Sequence, residues 1–172
     1  MKNGQTPSQT VGPFFAYGLV PEQYGYPLTQ VANGTIGGEG QRVSVAGRVL
    51  DGNNSPIVDA LIEIWQAGGG FARYGTGTSP DQSYMFNLVK PLGRSTNDAP
   101  HVNVIVFMRG LLSHLYTRIY FDDEAEANKA DEILQNLPSR RRHTLIAKSV
   151  GPGQYRFDIH LQGEHETVFF DL

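Results

Sequence analysis

From about residue 41 onward, apolar and polar side chains alternate in short runs. In QRVSVAGRVLDG, Val43, Val45 and Val49 alternate with polar or small residues, and the run ends in the turn sequence Asp51-Gly52-Asn53. Successive side chains of a strand point to opposite faces, so this spacing predicts a strand with one buried face. DALIEIWQA is a second strand, apolar almost without a break, which predicts cover on both faces. SYMFNLVKP is a third, stopped by Pro91; HVNVIVFMRG is a fourth and HLYTRIYF a fifth. TLIAKSV is short. In GQYRFDIHLQG, Tyr155, Phe157, Ile159 and Leu161 share one face, and ETVFFDL is expected to fold back on it as a hairpin. One helix is predicted, over DDEAEANKADEILQNL (122–137). Acids stand in its first turns, where the helix dipole favours them, and Ala127, Ile133, Leu134 and Leu137 form an apolar stripe.

About eight short strands, separated by turns every 8–12 residues or so, predict an all-β protein, a β-sandwich with one short helix. Residues 1–40 have no sustained period. TPSQTVGPFF cannot be helical across Pro7 and Pro13, so an extended N-terminal arm is expected over 1–40, ahead of a sandwich domain over 41–172. The glycine run Gly68-Gly69-Gly70 reads as a loop; with no Gly-Lys-Ser/Thr after it and no helix opening there, it is not a phosphate loop.

Composition narrows the function classes. The 172 residues carry a formal charge of −3 and no cysteine, which excludes disulfides and thiolate metal sites. The one dense basic patch, Arg140-Arg141-Arg142, is too local for nucleic acid and reads as a solvated face or subunit contact. No apolar run approaches the ~18 residues of a membrane span. The polar start MKNGQTPSQT lacks the apolar centre of a signal peptide, so a cytoplasmic protein is expected and the sequon Asn33-Gly34-Thr35 is taken as chance.

Of the five histidines, His143, His160 and His165 read as surface residues. Ser113-His114 has no Gly-x-Ser-x-Gly elbow, and neighbours on a strand face opposite ways, so it makes no hydrolase pair. His101 opens the fourth strand and shares a face with Asn103, Ile105, Phe107 and then Arg109. A His-x-His pair there would make a metal site. Here the second position is Asn103, a neutral amide, and the preceding loop KPLGRSTNDAP has no tyrosine to supply the anionic oxygen that a hard trivalent ion prefers. Arg109 can cover apolar surface with its stem or offer a fixed fork to a carboxylate. Eight residues of extended chain, about 26 Å, separate it from His101, so the two would serve different sites.

TPSQTVGPFF, LIEIWQA, APHVNVIVFMRGLLSHLYTRIYFDDEAEAN, RRHTLIAKSV and YRFDIHLQGEHETVFFDL together resemble the intradiol ring-cleavage dioxygenases, in particular the alpha chains of their two-chain branch. The resemblance implies a β-sandwich and a hetero-oligomer of alpha and beta chains. It implies Fe(III) on the partner beta subunit alone, held there by two tyrosines and a His-x-His pair. The first histidine of that pair falls on His101 and the second on Asn103, which makes these vestigial positions. The tyrosine loop falls on PLGRSTND, and the arginine three residues before the first histidine falls on Asp98. No metal and no catalytic residue is therefore expected on this chain.

The same resemblance implies a substrate pocket where alpha meets beta, with Thr10, Gly12, Pro13, Phe14 and Arg109 forming part of its wall. The implied reaction uses O2 to open 3,4-dihydroxybenzoate (protocatechuate) between its hydroxyls, giving 3-carboxy-cis,cis-muconate. Two other functions fit the residues alone: a self-sufficient iron dioxygenase using His101 with Tyr74 or His114, and a non-enzymatic β-sandwich binding module.

Overall fold

The computed structural model describes residues 15–171. Nine strands form: β1 (Arg42–Leu50), β2 (Leu61–Gln66), β3 (Gly70–Gly75), β4 (Ser83–Val89), β5 (His101–Phe107), β6 (Leu115–Phe121), β7 (Ile146–Gly151), β8 (Gln154–Arg156) and β9 (Ile159–His160). Their hydrogen-bonded order is β3-β2-β5-β6-β7-β8-β1-β4, with β9 also on β1. The two halves of this path face each other. Ile62, Ile64, Val102, Val104, Val106 and Ile119 of one half meet Val43, Val45, Phe86, Leu88, Tyr155 and Ile159 of the other in a single buried cluster. This is the expected all-β sandwich. β7 joins the layers: Ile146 and Ala147 pair in parallel with Tyr120 and Phe121 of β6, while Lys148–Gly151 pair with β8 across a register shift.

β2 is covered on both faces, as its apolar run predicted. Ile62 and Ile64 enter the main core, whereas Leu61, on the opposite face, packs with Val20, Tyr24 and Phe107. Residues 68–70 are more than the loop expected from sequence. In the structure Gly68 and Gly69, at φ +90° and +92°, turn the chain so that β3 pairs with β2 from Gln66↔Gly70 to Leu61↔Gly75. Those left-handed conformations are open to glycine at little cost, which makes the run a hairpin turn.

Three further expectations are corrected. The single helix over 122–137 is two, α2 (Ala125–Ala130) and α3 (Glu132–Asn136), because Asp131 adopts an extended ψ of 124° and caps α3 by accepting the Leu134 N–H. Two more short helices form, α1 (Phe15–Leu19) at the start of the described chain and α4 (Ser139–Arg142) shortly after α3. The arm is not extended throughout: after α1 comes a tight 3-10 turn over Pro21–Tyr24. Residues 33–36 then lie against both edge strands, with Asn33 C=O accepting from Arg73 N–H and Ile36 N–H donating to Asn87 C=O. ETVFFDL makes one rung with β9, through Thr167 and His160, and then crosses to β6, where Phe170 N–H donates to Tyr116 C=O. It is a strap across the sheet, not a hairpin strand.

Candidate functional site

β5 sends Val102, Val104 and Val106 into the core and presents His101, Asn103, Ile105 and Phe107 on its outer face. Cross-strand register widens that face. His101 lies opposite Tyr120, Asn103 stands between Trp65 and Arg118, and Ile105 between Glu63 and Tyr116. Alternation in LYTRIYF is what places Tyr116, Arg118 and Tyr120 together on it.

His101 is 5% exposed. Its Nδ1–H donates to the Ala99 carbonyl at 2.8 Å, its ring centroid lies 5.4 Å from that of Tyr120, and an Asp98 carboxylate oxygen is 3.6 Å from Nδ1. Burial, with the nearby Arg118 charge, lowers the imidazole pKa from its ordinary value against the opposing pull of Ala99 C=O and the Asp98 and Asp131 carboxylates. The ring is therefore neutral at pH 7. Asp98 is held by Arg94 at 2.8 Å, and that hydrogen bond holds its carboxyl below the usual carboxylate range.

Behind His101 lies a connected set of polar groups that strand alternation alone does not reveal. The Arg118 Nη1 donates to Tyr120 Oη at 3.2 Å, and the Tyr120 hydroxyl donates to Asp131 Oδ1 at 3.1 Å. Asp131 also accepts the N–H groups of Leu134 and Ala99, each at 2.9 Å. One carboxylate thus joins β6, the α3 cap and the entry to β5.

Above this face sits a cavity of about 400 Å³, walled by Trp65, Asn103, Ile105, Tyr116, Arg118 and Phe170. The donor set does not fit a ferric ion. His101 offers one ring nitrogen, Asn103 a neutral amide, and the Tyr120 phenol, raised in pKa chiefly by burial, is already committed to Asp131. The fixed charge of Arg118 stands on the same face, where it repels a cation. Among the described residues no three His, Asp or Glu side chains are grouped to hold a metal. Nor does the structure assemble His101 with Tyr74 or His114. Tyr74 packs inward against Phe86, and His114 is paired with Tyr116 Oη at 2.6 Å beyond the far end of β5.

The chain is 46% identical to the protocatechuate 3,4-dioxygenase alpha chain of Burkholderia cepacia, over 98% of each, and 39% identical to that of Pseudomonas putida, over 98% of this chain and 96% of the other. The chain belongs to the protocatechuate 3,4-dioxygenase alpha-chain family. The Burkholderia cepacia beta chain is a more distant relative, 29% identical over 74% of this chain and 67% of its own length. No family model matches. Among solved structures, an intradiol ring-cleavage dioxygenase from Tetranychus urticae aligns at a TM-score of 0.62 with 15% identity, covering 96% of this chain and 98% of that one. The dioxygenase domain of a Streptomyces carbohydrate-binding fusion aligns at 0.60 with 22% identity, covering 96% and 100%. At such identities these two share the fold.

Elsewhere on this alpha-chain fold, Thr10, Gly12, Pro13 and Phe14 lie outside the described residues. Arg109 lies two residues past the end of β5, 55% exposed at its side chain and ion-paired with Asp59. It lies beyond the end of β5 opposite His101. Val20, five residues after the described chain begins, packs on Leu61 and Phe107 at that same end. The Tyr24 phenol is pushed up in pKa by burial, with Tyr17 and Asp59 adding to it, so Asp59 links Arg109 to this aromatic corner.

The remaining sequence candidates take structural places. Arg141 donates to Glu166 C=O at 3.0 Å, and Arg142 donates to the carbonyls of Leu137 and Gln135. Two of the three arginines in the basic patch, expected to be a solvated face or subunit contact, therefore pin the C-terminal strap and the end of α3. His143, His160 and His165 meet around a second, shallow cavity of about 380 Å³, which reading each separately did not reveal.

Proposed function

We propose that this chain is the iron-free subunit of a two-chain protocatechuate 3,4-dioxygenase. Intradiol dioxygenases are iron-dependent enzymes. The iron belongs, in this account, to a beta partner, and the assembled enzyme converts 3,4-dihydroxybenzoate and O2 to 3-carboxy-cis,cis-muconate. One observation carries the division of labour: on the face where a His-x-His pair would bind metal, this chain has a carbonyl-tethered His101, the amide of Asn103 and the cation of Arg118.

The chain's own contribution is a wall of the partner's pocket. Residues 1–40 act as arm and interface segment, with Thr10, Gly12, Pro13 and Phe14 against the substrate, and 41–172 as the sandwich that carries them. A proline-stiffened segment loses less entropy on docking than a free tail. Arg109 stands near the end of the sheet where Val20 packs, and Asp59 orients its guanidinium. A planar, permanently charged fork there suits the carboxylate of an aromatic acid.

Co-expression with a beta chain tests the proposal: a co-purifying complex that consumes protocatechuate and O2 is expected, and the absence of any complex contradicts it. Within that complex, Arg109→Ala should raise KM for protocatechuate by about tenfold, the loss of one charge-assisted contact. Iron content should stay unchanged. Lost iron with an unaltered KM would count against the assignment.

A further inference from the structure

We propose that the cavity on the outer face of β5 and β6 is a ligand site of this chain's own, for a small aromatic monocarboxylate. It stands on the chemistry of the cavity alone and is separate from the Arg109 end of the sheet. About 400 Å³ is room for one such molecule, within the size range of small-ligand sites. Apolar walls come from Ile105, Tyr116, Trp65 and Phe170. Two of these are held in place: Trp65 packs on Phe71 with ring centroids 4.7 Å apart, and Phe170 is fastened over β6 by its N–H to the Tyr116 carbonyl at 2.8 Å.

The charge in this box is single and positive. Arg118 gives one hydrogen bond to Tyr120 Oη at 3.2 Å. The carboxylate nearest it, Asp98, is 3.9 Å away and is engaged by Arg94 at 2.8 Å. A guanidinium carries five N–H groups in a planar fork, so Arg118 retains donors for a carboxylate placed in the cavity, and the Asn103 amide beside it adds another. Glu63, in the neighbouring register row, is neutralised by Arg73, whose Nη2 and Nε lie 2.5 and 2.7 Å from its Oε1. His101 stays uncharged. The wall therefore balances one negative charge against apolar surface, which selects an aromatic acid over a dianion or a neutral ring. Thr117 Oγ1 donates to the Val168 carbonyl and Tyr116 Oη is paired with His114, so both wall hydroxyls are already engaged, and the site is one for binding alone.

The test uses the assembled protein and 4-fluorobenzoate as probe, followed by ¹⁹F NMR. A saturable bound resonance is expected that Arg118→Met weakens by about tenfold or more, as loss of a charged fork demands. Ile105→Trp, which fills the cavity from the neighbouring strand on the same face, should remove the same resonance, and 4-fluorobenzyl alcohol should not produce it. Far-ultraviolet circular dichroism establishes that each variant is folded. No bound resonance up to roughly 10 mM probe, a range that includes even weak sites, would overturn the proposal, as would one indifferent to both substitutions. Failure of the dioxygenase reading, by contrast, would leave this resonance in place.

Discussion

Gly47→Ala should abolish the folded protein, or destabilise it by more than about 3 kcal/mol, the upper end of what overpacking a core costs. A β-carbon at Gly47 would sit 1.7 Å from the Phe157 carbonyl oxygen and 2.6 Å from its carbonyl carbon. Both are backbone atoms with nowhere to go. Between its pairing with β8 and its pairing with β9, β1 has a gap, and the Phe157 carbonyl fills the space a side chain would take. There it accepts the Tyr84 hydroxyl at 2.5 Å, deep in the core. Phe157 N–H donates to Ala46 C=O at 2.9 Å, and Arg48 N–H to Asp158 Oδ1 at 2.9 Å, so the gap is stitched on both sides. The control is Gly52→Ala, whose β-carbon meets only the Gln162 side chain, the flexible Oε1 at 3.1 Å and Cβ at an ordinary 3.4 Å, and should be tolerated. Thermal unfolding of both variants decides it; comparable melting temperatures would refute the argument.

Asp131→Ala should cost about 3–5 kcal/mol, since three buried donors lose their acceptor together and each orphaned group costs roughly 1–3 kcal/mol before relaxation. Asp131 is 1% exposed, and the residues it serves, Ala99, Tyr120 and Leu134, are all buried. The loss is therefore not the ~1 kcal/mol of an ordinary helix cap. It also frees the backbone at Ala99, whose carbonyl holds the His101 ring, so the cavity face should loosen with it. Urea unfolding measures the effect. A loss near that of an ordinary cap would mean the three bonds are not cooperating.

How legible all this was from sequence depends on the range of the interactions. Strand alternation is a local property, and it placed β1, β4, β5 and β6 and their inward valines, leucines and phenylalanines. β3 was missed because FARYG has only one strong apolar position flanked by glycine, and its status depends on pairing with β2. Helix 122–137 was overextended because Asp131 looks like an ordinary polar helix residue until its two long-range partners, Ala99 and Tyr120, are known. The C-terminal run alternates like a strand, yet Arg141 and Tyr116 draw it elsewhere.

The candidate site divides the same way. His101, Asn103 and Arg109 could be singled out from β5 alone, and the tyrosine-free loop before it was plain to see. Arg118 and Trp65 could not be placed beside Asn103 without cross-strand register, although the alternation of LYTRIYF already held the signal for Arg118. An isolated β5 suggests half a metal site. The assembled face, with a cation opposite the missing ligand, is one that disfavours metal and favours an anion.

Metal analysis of this chain purified without a partner, set beside the same chain purified with its beta chain, tests the division of labour most directly. The account predicts iron well below one atom per chain in the first preparation and about one per alpha–beta pair in the second. Stoichiometric iron in the lone chain, together with ring-opening activity, would contradict it.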